Sequence, residues 1–402
     1  MARVPAEEVA RLKDSVSVRR LAEGKGVVFT KSGDDNLLAH CPFHDDTTPS
    51  FVVSEKKNLW HCLGECRAGG SVIDFVMRAE GVTFRHAVEL LREGVSLTGP
   101  VGPRIATVPK LASPVDTTAD DTKLLAQVRD YYHQQLKASP EALAYLESRG
   151  LKDARLIDAF KLGFANRTLG LRLPDNNRAS GALVRGRLQT LGVMRASGHE
   201  HLNGSLVVPI HNEAGDVVGM YGRKVTDNLR PGTPQHLYLP GPHRAAFNSA
   251  ALAGQRTAIL CEALFDALSF WAAGFHNVTS AYGVDGFTSA HLEAFKRHQV
   301  RDVVIAYDRD DAGDAAAEAL AKQLMAEGFQ CWRVLFPRGM DANAYAVKVQ
   351  PASKSLGVAL RQAAWMGTGL PPGAPGFSGV AGVSISTPRT ETPSPLKTET
   401  PP

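Results

Sequence analysis

The sequence predicts an α+β protein of several domains: a small module stapled by cysteines, an α+β subdomain, an α/β domain on a parallel sheet, and a disordered tail. Three observations carry that prediction. Near the carboxyl end, Thr257-Ala258-Ile259-Leu260-Cys261 and Val303-Val304-Ile305-Ala306-Tyr307 are apolar runs that each stop at a carboxylate and pass straight into a helical pattern. Near the amino end, Cys41 with His44 and Cys62 with Cys66 bracket a stretch patterned as a hairpin. From Gly367 onward the apolar period stops, and proline, glycine, serine and threonine take over.

Bulk properties narrow the class. At 402 residues the chain has room for two or three domains with real cores. It is 44% hydrophobic and 21% charged, with a formal net charge of +4, a balance that permits nucleic-acid binding without demanding it. No apolar run is long enough to span a membrane, and the start lacks the apolar stretch of a signal peptide, so a cytoplasmic protein is expected. Five cysteines, an odd number with three close together, argue for metal rather than disulfides. No Gly-x-x-x-x-Gly-Lys-Ser/Thr loop occurs, which excludes a recognisable helicase motor.

Taken in order, the chain opens with a helix that has Pro5 near its first turn and Val9 and Leu12 on one face. Phe51-Val52-Val53 and Leu59-Trp60-His61 form a hairpin turned by Glu55-Lys56-Lys57-Asn58. Cys41 and His44 on one knuckle and Cys62 and Cys66 beyond the hairpin make a tetrahedral zinc set, and the module around them is too small to stand without it. His40 and His61 flank these positions. Val72–Met77 and Phe84–Leu91 read as two helices closing a module over 1–96.

Residues 97–121 carry no sustained period and read as a linker. A subdomain over 122–250 follows. Pro140–Leu146 is helical, and Phe160–Phe164, Leu206–Ile210 and Val217–Lys224 are strand-like, the last two joined by the turn Asn212–Asp216. The α/β domain runs over 251–345, a helical segment over 346–366, and the tail over 367–402.

In the α/β domain the chemistry gathers at strand ends. Asp308 and Asp310 are two apart in an extended segment and face the same way, and Glu262, which ends the upstream strand, joins them in one crevice if the two strands are neighbours. Such a carboxylate crevice calls for a compensating hard cation, Mg2+ or Mn2+. The competing assignment is a helix cap, which Asp310 or Asp311 supplies equally well.

Glu262 with Asp266, then Asp308-Arg309-Asp310 ahead of Ala312-Gly313, and Pro337-Arg338-Gly339-Met340-Asp341 resemble the Toprim domain, with Ala263 where many members carry glycine. Cys41-Pro42-Phe43-His44, Thr48-Pro49-Ser50-Phe51, His61-Cys62 and Ala68-Gly69-Gly70 resemble the CHC2-type zinc module of bacterial DnaG-type primases. The family spaces its last two ligands Cys-x-x-Cys, whereas this chain has three residues between Cys62 and Cys66. The segment between the two modules is similar to the amino-terminal half of the primase core. It carries Ser205 and Gln235 where the family has basic residues, as in a divergent or mobile-element-associated member.

The resemblance implies a DNA-dependent RNA primase that joins nucleotides on a single-stranded DNA template, with loss of pyrophosphate. Glu262, Asp308 and Asp310 would be catalytic and, with Asp266 and Asp341, hold Mg2+ or Mn2+. Cys41, His44, Cys62 and Cys66 would hold one structural zinc, and Arg223 and Lys224 would meet phosphates of NTP or template. Scattered arginines (Arg172, Arg178, Arg185, Arg187, Arg195) are candidates to replace the missing cations. A replicative helicase on a separate chain is the implied partner. Two other classes fit the same motifs: a Toprim enzyme that cleaves DNA, and a non-catalytic DNA-binding replication protein.

Overall fold

The computed structural model describes residues 4–33, 35–94, 111–373 and 375. The predicted linker therefore falls outside the described residues up to 110, and the predicted tail does so at 374 and beyond 375.

The amino-terminal module begins with two helices, α1 (Ala6–Ser15) and α2 (Val18–Gly24). A five-stranded antiparallel sheet follows in sequence order: β1 (Thr30–Lys31), β2 (Asn36–Ala39), β3 (Phe51–Ser54), β4 (Leu59–Cys62) and β5 (Gly69–Gly70). The predicted hairpin is β3–β4, and its turn ends on Asn58 at φ 50, a conformation asparagine tolerates. The Asn58 side chain accepts from the Val18 amide and donates to the carbonyls of Lys13 and Val16, which ties the hairpin to both helices. Helices α3 (Val72–Glu80) and α4 (Phe84–Arg92) close the module, α3 started by a Ser71/Asp74 capping box. Phe43, Phe51, Trp60 and Phe75 form its aromatic centre, with ring centroids 5.2 to 6.1 Å apart.

The next subdomain holds α5 (Asp121–Lys137), α6 (Pro140–Ser148), α7 (Ala154–Ala159), β6 (Gly163–Phe164), α8 (Leu169–Arg172), α9 (Ala179–Thr190), β7 (Ser205–His211), β8 (Val217–Lys224) and β9 (His236–Tyr238). Strands β6 to β9 make an antiparallel sheet. Strand alternation gives that sheet two buried faces. Val207, Val217 and Met220 pack with Leu124, Leu169 and Val184 of the helices on one side. Leu206, Val208, Ile210 and Tyr221 join the core of the next domain on the other.

That domain has β10 (Thr257–Cys261), α10 (Leu264–Ala272), β11 (Val278–Ser280), α11 (Ser289–Arg297), β12 (Asp302–Ala306), α12 (Asp311–Ala326), β13 (Gln330–Arg333), α13 (Ala342–Lys348), α14 (Ala352–Arg361) and β14 (Ala364–Trp365). The sheet order is β11-β10-β12-β13-β14, parallel except for β14. Both carboxylate-ended strands, β10 and β12, are central neighbours, which is the condition for one shared crevice. Helix α13 runs across the boundary expected at 345, and β14 adds a sheet edge within the segment expected to be helical.

The amino-terminal module docks on the subdomain. Arg172 bridges to Glu93 at 2.6 Å and Glu89 at 3.3 Å, and Arg85 donates to the carbonyl of Asn166 at 2.5 Å. Leu111 is buried in the module's core and Val115 in the subdomain's, so residues read as linker reach both.

Candidate active site and zinc centre

In the amino-terminal module, Cys41, His44, Cys62 and Cys66 bring their ligand atoms within 4.8 Å of one another. The Cys41 and Cys66 sulfurs lie 3.7 Å apart, and Cys62 Sγ is 4.0 Å from His44 Nδ1. A tetrahedral zinc with Zn–S bonds of about 2.3 Å needs sulfurs about 3.8 Å apart, so the set fits the metal. The loop between Cys62 and Cys66 runs close to the ligands: a Cβ on Gly64 would stand 2.7 Å from Ser50 Oγ and 3.1 Å from His44 Nε2. His61 lies on β4 outside the group. Burial pushes the Cys41 thiol up. Burial also raises Cys62, but hydrogen bonds from Ser50 and the neighbouring cysteines outweigh it and bring that thiol down to about 7. Asp46 Oδ1 stands 3.7 Å from His44 Nε2, the outer partner that orients a ligating imidazole.

The second site is the crevice at the carboxyl ends of β10 and β12. Glu262 follows Cys261 directly, and its Oε2 is 3.5 Å from the Asp308 amide. Burial, then the nearby Asp308, pushes Glu262 up to about 7. Burial, then Asp341 and Asp310, pushes Asp308 up to about 6. These carboxylates do not close to the separation reached by the cysteine set, which is the only such group among the described residues. Their like charge opposes closer approach.

The five candidates do different work. Asp310 caps α12, its Oδ1 accepting from the Gly313 amide at 2.7 Å. Asp341 caps α13 through the Ala344 amide at 2.5 Å. Asp266 is 2% exposed, and its Oδ1 accepts from the Asn343 amide at 2.9 Å. Its carboxyl is driven well above the usual range by burial, then by Asp341 and Asp308. Asp308 caps nothing, and its Oδ1 is buried with no partner. A buried, unmatched acceptor in an all-oxygen donor set suits a hard divalent cation. Gly313 is required because a Cβ there would collide with the Asp308 carbonyl.

Two cations sit on Phe265 of α10, the helix that follows Glu262. Arg223 lies over the ring of Phe265 at 5.0 Å, and Arg149 over the same ring at 5.9 Å. Arg223 donates to the Tyr145 hydroxyl at 2.6 Å, which fixes it against α6. Lys224 does not join it. As the next residue along β8 it points to the opposite face of the sheet, into a cleft of about 750 Å³ lined also by Arg167, Arg185, Arg195 and Arg230. Burial, then Arg167 and Arg195, pushes Lys224 down to about 8. Glu200, buried in the same cleft and raised to about 7 by that burial, is its one carboxylate.

Three family models match the chain in the order of these sites: the CHC2 zinc finger over residues 4–102, the amino-terminal domain of the DNA primase catalytic core over 131–250, and a Toprim-like domain over 259–346. The chain resembles the DnaG-type primases over all three matched regions. A DNA primase of Halalkalibacterium halodurans is 29% identical over 369 residues, covering 86% of this chain and 58% of that protein. The chain thus spans little more than half the length of the curated relatives it matches. Among solved structures, the zinc-binding and RNA polymerase domains of the Aquifex aeolicus primase share the fold with a TM-score of 0.52 at 23% identity, over 89% of this chain and 85% of that one. A DnaG catalytic domain bound to single-stranded DNA matches with a TM-score of 0.51 at 23% identity, over 61% of this chain and 82% of that one.

Within this DnaG-type framework the basic candidates separate. Arg195 lines the Lys224 cleft, as does Arg185, whose guanidinium already donates to the carbonyls of Pro174, Gly170 and Leu173; Arg172 is spent on the module contact and Arg187 on Asp121. Arg178 precedes α9 as its N-cap residue. Gln235 donates to the Lys224 carbonyl at 3.0 Å, a structural bond rather than a phosphate contact. Sequence reasoning missed Arg149, because Arg149-Gly150 reads as a helix stop. It missed Arg167 as well, in the loop after β6.

Proposed function

We propose that the chain is a DNA-dependent RNA primase that builds short primers on single-stranded DNA by metal-dependent nucleotidyl transfer. The observation that carries this reading is the crevice where the central neighbours β10 and β12 end in Glu262 and Asp308, with Asp308 Oδ1 buried and unmatched. Such a crevice, with Arg149 and Arg223 on Phe265 of the helix that follows Glu262, suits a nucleoside triphosphate. The arginines take its phosphates, and Asp308, Asp310 and Glu262 would hold Mg2+ or Mn2+, whose chemistry there is neutralisation of the triphosphate and activation of the attacking 3′-hydroxyl. Asp341 stands at the rim of the same crevice. Asp266 acts from within, holding α10 to α13 through Asn343.

The Lys224 cleft, on the other face of the same sheet, is the template groove in this reading. Arg167, Arg195 and Arg230 would meet backbone phosphates there, and a DnaG catalytic domain of the same fold, bound to single-stranded DNA, supports a DNA template for the chain. The zinc module would select the priming site. A cytoplasmic location, NTPs as substrates and a replicative helicase on a separate chain belong to the same proposal.

The test is primer synthesis on single-stranded DNA with NTPs and Mg2+ or Mn2+. Labelled oligoribonucleotides are the expected product. Nicking of DNA without synthesis would replace the proposal with a Toprim nuclease, and DNA binding with neither activity would leave a binding protein.

A further inference from the structure

Arg333 is the charge least expected in its place. It lies at the end of β13, between β12 and β14, among Cys331, Trp332 and Val334, and is only 5% exposed. An arginine held this deep needs its donors matched. Nη1 donates to the Tyr307 carbonyl at 2.8 Å and the Ile305 carbonyl at 3.4 Å. Nη2 donates to the Asp308 carbonyl at 2.8 Å and to Asp314 Oδ1 at 3.0 Å.

Those carbonyls lie where β12 leaves the sheet. Pairing with β13 ends at Ile305 opposite Arg333, so the ladder gives Tyr307 and Asp308 no partner. Asp314, on the first turn of α12, also takes Arg309 Nη1 at 2.8 Å on each oxygen. The Arg309 backbone in turn bonds Met340 and Gly339 of the following loop. The whole Asp308-Arg309-Asp310 turn is therefore held from behind, with one guanidinium at its centre.

We propose that Arg333 is a positioning residue for the metal crevice: anchored on Asp314, its fork fixes the turn that aims Asp308 and Asp310 at one cation site. This rests on the crevice being a metal site. A lysine carries the charge but has one nitrogen, and cannot serve three carbonyls and a carboxylate in this geometry. A purely electrostatic role predicts the opposite sign, because a cation beside the carboxylates repels a divalent ion and its removal would tighten binding.

The experiment is Mn2+ titration of the zinc-loaded full chain, with Asp308→Asn marking which binding belongs to the crevice. Primer synthesis is measured in parallel. Arg333→Lys is expected to weaken crevice Mn2+ binding about tenfold, the usual scale for an outer-shell partner, and to lower kcat with the KM for NTP little changed. Asp314→Asn, which keeps Arg333, is expected to shift Mn2+ binding the same way by a smaller factor. Wild-type Mn2+ affinity in Arg333→Lys, or tighter binding in Arg333→Met, would overturn the positioning role alone. If Arg333→Met does not fold, Arg333→Lys and Asp314→Asn decide. Wild-type protein with no Mn2+ binding sensitive to Asp308→Asn would bring down the crevice reading and this proposal together.

Discussion

Ser205 and Lys224 face each other across the antiparallel ladder of β7 and β8. Directly opposed residues share a face, so the lysine stands beside the position where the family's basic residue is absent. Lys224→Ala should weaken binding of single-stranded DNA and reduce the salt slope by about one unit, the signature of one lost phosphate contact. Because Lys224 is held down to about 8, wild-type affinity should fall as pH rises from about 7 to 9. Lys224→Arg should abolish that fall. Fluorescence anisotropy at several salt concentrations and pH values checks all three.

The zinc set gives a second test. Cys66→Ser and Cys41→Ser should lose zinc alike, whereas His61→Ala should keep one zinc per chain, since His61 lies outside the ligand group. Elemental analysis of the full-length variants decides it. Chelation should unfold the amino-terminal module, whose core is small.

In the crevice, Asp308→Asn and Glu262→Gln should each lower primer synthesis by about 100-fold or more, on the scale of a lost electrostatic element. Metal-free thermal stability should hold or rise, because removing one anion relieves its neighbours. Asparagine caps helices well, but the cap of α12 is Asp310. Loss of activity in Asp308→Asn therefore reports on ligation, and differential scanning calorimetry of the same sample reports on the fold.

The same carboxylates set a pH signature. Glu262 at about 7 and Asp308 at about 6 lie above their ordinary values of 4.5 and 3.8. The folded state therefore binds more protons than the unfolded state between those limits. Their contribution to stability is complete below about pH 4 and is lost as pH rises through 6 and 7. Melting temperatures of the metal-free protein should show this loss, and Glu262→Gln should flatten its upper part.

What the sequence made legible follows from where the signals are local. Glu262 and the Asp308/Asp310 pair could be read because an apolar strand that stops at a carboxylate leaves few other structures open. The cysteine set could be read from spacing, and the structure brings all four ligands together despite the added residue before Cys66. Roles that depend on the third dimension stayed hidden. Five carboxylates look alike in sequence, yet only the packing of α10 against α13 separates buried Asp266 from the caps Asp310 and Asp341. Arg333 sits inside an apolar run and gives no periodic signal. Strand β14 is two residues long, too short for any pattern.

Strand β8 carries Arg223 and Lys224 as neighbours on opposite sides of one sheet, the first toward Phe265 and the second into the cleft. This makes the strand's parity a functional variable. One inserted residue between Tyr221 and Arg223 would turn the arginine away from Phe265 and the lysine toward it, with composition and net charge almost unchanged. Chains of this architecture are therefore open to an error that charge counting cannot detect: both cations retained, each delivered to the wrong compartment.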